Sequence, residues 1–133
     1  MKTADSFNVF EAAYEPLRVE LFAGARVEGR VLYRSTDGTH LVIASRYPDG
    51  VRYRGVGSYE YREAFYIVQG TGSRTLADGT KQDIRAGDLI LVMPGLEQRV
   101  VYDPGLANVA FFWSAGKPLP DFTVGLTLPA LAD

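Results

Sequence analysis

The 133-residue chain contains no cysteine. Disulfides, zinc–thiolate sites, iron–sulfur clusters and thiolate nucleophiles are therefore excluded. It contains one histidine, His40, which closes His-rich metal cages, paired-histidine acid–base chemistry and, with no His to spare for it, a Ser-His-Asp triad. Positive charge is not in surplus: 14 basic against 16 acidic residues leave a net charge of -2, whereas nucleic-acid binders carry a basic excess. The apolar run Leu89–Met93 is far shorter than the roughly 20 residues that span a bilayer, and Met1–Phe10 lacks the apolar stretch of a signal peptide. These absences lead to the expectation of a cytoplasmic protein with neither a nucleic-acid nor a membrane partner.

What is present suits one globular domain, with 47% hydrophobic and 23% charged residues. At this length a hydrophobic core needs no covalent staple. Turn signals recur at short intervals: Thr36-Asp37-Gly38, Pro48-Asp49-Gly50, Gly70-Thr71-Gly72, Ala77-Asp78-Gly79, Ala86-Gly87-Asp88, Pro94-Gly95 and Asp103-Pro104-Gly105. Runs rich in Val, Ile, Leu, Tyr and Phe lie between them, and predict strands at 28–35, 39–47, 51–54, 63–69, 72–77, 80–85, 88–92, 97–102 and 107–114. Asp78-Gly79 between two of these is a tight-hairpin signal. Such spacing predicts an antiparallel sandwich or barrel. Ahead of it, residues 1–20 form an arm. In it Asp5 or Ser6 caps a short helix through Phe7, Phe10, Ala12 and Ala13, or the arm packs loosely on the sheets. Residues 115–133, with Pro118, Pro120 and Pro129, read as an extended tail. The division expected is arm 1–20, barrel 21–114 and tail 115–133.

Two stretches carry a family resemblance. Residues 57–70 read Gly-Ser-Tyr-Glu-Tyr-Arg-Glu-Ala-Phe-Tyr-Ile-Val-Gln-Gly, and residues 87–98 read Gly-Asp-Leu-Ile-Leu-Val-Met-Pro-Gly-Leu-Glu-Gln. Together they resemble the two motifs of the cupin superfamily, separated by sixteen residues that hold the hairpin. The resemblance covers about residues 28–114. It implies an all-β fold: a single double-stranded β-helix, an antiparallel jelly-roll barrel, often homodimeric, with a ligand cavity in its mouth.

The departures are as informative as the match. Metal-binding cupins carry two His and a Glu in the first motif and a third His in the second. Carried over by spacing, these places are Gly57, Tyr59, Glu63 and Gln98 here, so only the carboxylate remains. The resemblance thus implies no metal and no other cofactor, a substitute set drawn from Glu60, Glu63, Glu97 or His40 being the alternative. A Tyr four residues before the Glu, with the His residues missing, is similar to a subgroup that includes the ethanolamine-utilisation cupin and many bacterial proteins.

Period-two alternation assigns faces. With Glu63 pointing into the barrel, Phe65, Ile67 and Gln69 share its face, and Tyr59 and Tyr61 join them if the strand continues upstream without a bulge. In the second motif Gln98 points inward with Val100 and Tyr102. A carboxyl in such an aromatic cavity loses hydration and rises toward the pKa range of general acid–base catalysis; a scaffold role for Glu63 is the alternative. Tyr59 is a candidate hydrogen-bond donor to a ligand oxygen or a packing aromatic at the mouth. Gln98, Tyr61, Phe65 and Tyr102 are candidate ligand-lining residues. Arg54 is either a clamp for a ligand carboxylate or phosphate or part of a solvated strand face. His40 reads as a surface or hydrogen-bonded structural residue. Phe111, Phe112 and Trp113 cover both faces of one strand, so one face needs a cover from a second subunit or the tail.

The expectation is a small-molecule cupin doing metal-independent proton transfer (isomerisation, elimination or cyclisation), with Glu63 and Tyr59 as the catalytic pair. The alternatives are a non-catalytic sensing barrel and a dioxygenase-like metalloenzyme with an atypical ligand set.

Overall fold

The computed structural model describes residues 26–120 and the two-residue strand Glu15–Pro16. The helix expected over residues 7–13 and the tail beyond Pro120 lie outside the described residues. No helix occurs among those described, so none is long and apolar enough to cross a membrane.

Among the described residues ten strands form two antiparallel sheets. They are β1 (Glu15–Pro16), β2 (Glu28–Arg34), β3 (His40–Tyr47), β4 (Val51–Val56), β5 (Arg62–Gln69), β6 (Thr71–Leu76), β7 (Lys81–Arg85), β8 (Leu89–Val92), β9 (Glu97–Tyr102) and β10 (Leu106–Trp113). The larger sheet runs β1-β2-β3-β10-β5-β8 and the smaller β4-β9-β6-β7. All nine predicted strands are found within a residue or two of their expected limits, and β1 is an addition within the arm. From β3 onward the chain crosses repeatedly between the sheets, staying in the smaller one for β6 and β7. The two cupin-like motifs lie side by side, with β5 of the first paired to β8 of the second and β9 continuing the second beside β4.

The pattern that forms these strands is local. In β4, Val51 and Tyr53 are buried while Arg52 and Arg54 are exposed; in β9, Gln98, Val100 and Tyr102 are buried while Glu97 and Arg99 are exposed. Alternation of this kind places one face of a strand on the core and the other in water. The Asp78-Gly79 turn joins β6 to β7 as anticipated. Asp78 accepts a hydrogen bond from the Thr80 amide at 2.8 Å, and Gly79 sits at φ 88, a conformation that side chains resist.

One core cluster is centred on Ile67, Leu106, Val100 and Tyr102, the second on Leu41, Ile43, Ala110 and Phe112. Phe65 packs on both. Fully burying a side chain such as Ile67 or Leu106 contributes about 1.5–3 kcal/mol each. Leu119 belongs to the second cluster, and its amide donates to the Gly38 carbonyl at 2.7 Å. The start of the expected tail is therefore part of the packed body.

One irregularity redirects side chains. The β10–β5 ladder pairs Ala107 with Gln69 but Asn108 with Ile67, so Val68 is an extra residue on β5. Such a bulge breaks period-two alternation. Glu63, Phe65 and Ile67 keep the inner face as expected, but Gln69 does not: it is exposed, and its amide donates to the Gly105 carbonyl.

Candidate functional site

The barrel end that carries Glu63 is built from both sheets. Glu63 pairs with Val92 on β8 and with Phe112 on β10. Across the interior stand Gln98 on β9, opposite Gly55 of β4 and Leu76 of β6, and Tyr53 and Tyr102. Tyr61 and Phe65 both meet the Phe112 ring edge-on, at centroid distances of 6.2 Å and 6.0 Å. Deeper in, Tyr102 contacts Tyr47 at 5.0 Å and Tyr53 at 6.1 Å. The side chains gathered here are aromatic with a few polar groups, the composition common in small-molecule sites.

Burial pushes the Glu63 carboxyl up to about 7, because a low-dielectric surrounding disfavours the charged form. Among the described residues no ion pair or hydrogen bond holds it. A carboxyl near 7 exists in both forms at neutral pH and can take or give a proton. The neighbouring phenols are all raised, first by burial: Tyr61 to about 12, Tyr53 and Tyr102 also above their ordinary value, each feeling the Glu63 charge as a further cause. They stay protonated and serve as hydrogen-bond donors. The Tyr53 and Tyr102 hydroxyls are hydrogen-bonded to each other.

Gln98 is buried at 5% exposure, and its Oε1 accepts from Arg74 Nη1 at 3.3 Å. Arg74 is the residue that sequence reasoning missed. Its β6 stretch, Thr-Gly-Ser-Arg-Thr-Leu, carries a weak apolar pattern; only its register opposite Val100 of β9 reveals that it faces inward.

Two expected site residues lie elsewhere. Tyr59 is on the loop before β5, 79% exposed, with its hydroxyl against Gly95. Strand β5 begins only at Arg62, so the alternation that put Tyr59 in the cavity does not reach it. Arg54 points outward from β4, where it pairs with Glu97 at 3.9 Å beside a groove of about 240 Å³ that includes Thr75, Leu76 and Arg99. The barrel places Glu63, Tyr61, Phe65 and Tyr102 together; Tyr59 lies on the loop outside, and Arg54 shares its groove with Gln98. His40 is exposed, its Nδ1 2.9 Å from the Thr39 hydroxyl.

The four places at which metal-binding cupins carry ligands do not form a donor set here. Gly57 is packed so closely on the Met93 carbonyl that an added Cβ would overlap it, so this backbone has no room for a ligand side chain there. Tyr59 is outside, the Gln98 oxygen is engaged by Arg74, and Glu63 stands alone. No group of three or more His, Cys, Asp or Glu residues suited to a metal occurs among the described residues.

No protein-family model and no curated protein matches this chain. Solved structures do. KdgF from Halomonas sp. matches with a TM-score of 0.63 at 16% identity, over 90% of this chain and 97% of that one. The cupin domain of Schizosaccharomyces pombe Cnp3 matches with a TM-score of 0.61 at 11% identity, over 83% and 74%. The Clostridium difficile EutQ protein gives 0.55 at 16% identity, over 70% and 71%. At such identities the likeness is one of fold, and the fold is that of the cupin barrel.

Proposed function

We propose that this cupin barrel binds a small organic molecule and moves a proton on it without a metal, in an isomerisation, elimination or cyclisation. The observation that carries the reading is Glu63: a carboxyl with no partner among the described residues, raised to about 7 by burial among aromatic side chains. Glu63 takes the proton from a carbon or heteroatom of the ligand and returns it elsewhere. The Gln98 amide and the Tyr61 phenol donate to the ligand oxygen on which negative charge develops. A role for the protein as a cytoplasmic homodimer completes the proposal. The absence of cysteine suits a reducing compartment, and the outer face of the larger sheet supplies an interface. Along it Tyr33, Val42, Phe111, Ala64 and Leu91 form one uncharged row of register partners across five strands, with Tyr33, Phe111 and Leu91 exposed.

The test is deuterium incorporation. The full chain is incubated in D2O with a panel of small oxo and hydroxy acids, and the recovered acids are weighed by mass spectrometry. One or more gains deuterium with the wild type and none with Glu63→Gln. Undiminished exchange in Glu63→Gln refutes the assignment; a ligand that stabilises the protein yet returns without deuterium identifies a sensing barrel instead.

A further inference from the structure

Arg74 Nε donates to Gln82 Oε1 at 2.7 Å, and Nη1 approaches Gln98 Oε1 at 3.3 Å and the Leu91 carbonyl at 3.5 Å. Leu91 belongs to the other sheet and precedes Val92, the register partner of Glu63. The guanidinium thus bridges the two sheets beside the strand pair that carries Glu63, and its charge is felt by the Tyr102 phenol. Its side-chain partners are neutral amides. Among the described residues no carboxylate pairs with it and Nη2 has no acceptor, whereas Arg46 and Arg54 on the outer faces pair with Glu28 and Glu97. A half-buried guanidinium without a counterion is uncommon in a folded interior. Gln98 turns Oε1 to Arg74, and its Nε2 has no acceptor among the described residues.

We propose that Arg74 is the anion anchor of the barrel, and that the ligand is a small organic acid whose carboxylate lies on Arg74 Nη2 and Gln98 Nε2 with its reacting carbon toward Glu63. The inference rests on reading the barrel as a small-molecule site, and names the class of molecule. A planar carboxylate matches the edge of one guanidinium and one amide. A phosphate group draws on more donors, and among the described residues there is no helix N-terminus to supply them.

Calorimetric titration of the full chain with malonate, succinate and 2-oxoglutarate, against malonamide and succinamide as uncharged counterparts, tests this. At least one carboxylate binds, and its amide counterpart binds at least about tenfold more weakly, a difference of the size one charge-assisted contact supplies. Arg74→Met removes that preference, and Arg74→Lys, which keeps the charge and loses the fork, retains part of it. A purely structural Arg74 gives a lower melting temperature in Arg74→Met with the carboxylate-to-amide ratio unchanged, which overturns the proposal. So does the failure of every carboxylate to bind, or equal binding of the amides. The readout separates the two readings. Arg74-dependent carboxylate binding without deuterium exchange removes the proton-transfer function and keeps the anchor. Glu63-dependent exchange on a ligand held equally well by Arg74→Met removes the anchor and keeps the function.

Discussion

Replacing Glu63 with Gln removes an ionisable group from the barrel while keeping nearly the same volume, and its effect on stability depends on pH in a direction the structure dictates. The folded-state pKa lies above the ordinary value, about 7 against 4.5. The folded protein therefore holds the Glu63 proton more tightly than the unfolded chain does. The protonated group's contribution is fully present below pH 4.5, and is lost as pH rises through 7. Each tenfold change in proton affinity is worth about 1.4 kcal/mol. With some allowance for the solvent the side chain still meets, an ionised Glu63 destabilises the fold by about 2–3 kcal/mol above pH 7. For a domain of this size about 1 kcal/mol moves the melting temperature by roughly 3–4 °C. The wild type then loses roughly 6–12 °C relative to Glu63→Gln between pH 4.5 and pH 8. The assay is a melting curve of both proteins by circular dichroism at half-unit pH steps, read as the difference between the two, so that all other titrating groups cancel. A difference in melting temperature that stays constant from pH 4.5 to pH 8 refutes the half-buried, unpartnered carboxyl and, with it, the basis for proton transfer.

Three further outcomes are expected. Gly57→Ala places a Cβ on the Met93 carbonyl and destabilises by about 3 kcal/mol or more. Gly79→Ala, whose added Cβ meets nothing within 4 Å, loses only the 1–2 kcal/mol, roughly, of its left-handed backbone; urea denaturation of the pair compares them, and equal losses contradict the close approach at Gly57. Asn108 is 1% exposed and neither amide atom has a hydrogen-bond partner, although the group lies near enough to Tyr47 and Tyr102 to lower their pKa values against the stronger, raising effect of burial. Asn108→Leu removes these two unsatisfied atoms and raises the unfolding free energy by about 1–2 kcal/mol; a loss instead shows that the amide is hydrogen-bonded to the Tyr47 and Tyr102 phenols. Phe111→Glu puts a charge in the centre of the apolar outer row, and light scattering finds the wild type at twice its 14.6 kDa and the variant at the single mass, whereas a monomeric wild type removes the dimer.

Much of the fold is legible in the linear chain because its causes are short-range. Asp78-Gly79 makes its turn with atoms two or three residues apart, and Val51-Arg52-Tyr53-Arg54 declares its two faces by itself. Glu63 was assigned to the interior on the same rule, and the β5 ladder has no irregularity between Glu63 and Ile67 to upset it. The rule fails where the backbone departs from regularity: Gln69 lies beyond the bulge at Val68, and Tyr59 precedes the first paired residue of the strand. Nothing within either neighbourhood announces these breaks, since they follow from pairing with β10.

Local patterns along the chain were enough for the all-β class, the strand and turn positions, the inward set Glu63, Phe65, Gln98 and Tyr102, and the lack of histidine at the positions where metal-binding cupins carry it. These rest on side-chain chemistry and period-two geometry, which act within a few residues. Tertiary structure alone decided that Arg74 enters the interior and meets Gln98 and Leu91, that Arg54 turns outward to Glu97, and that Gly57 has no room for a ligand because Met93 lies against it. Each of these depends on groups brought together from distant strands, and only the closing of the two sheets sets which of them meet.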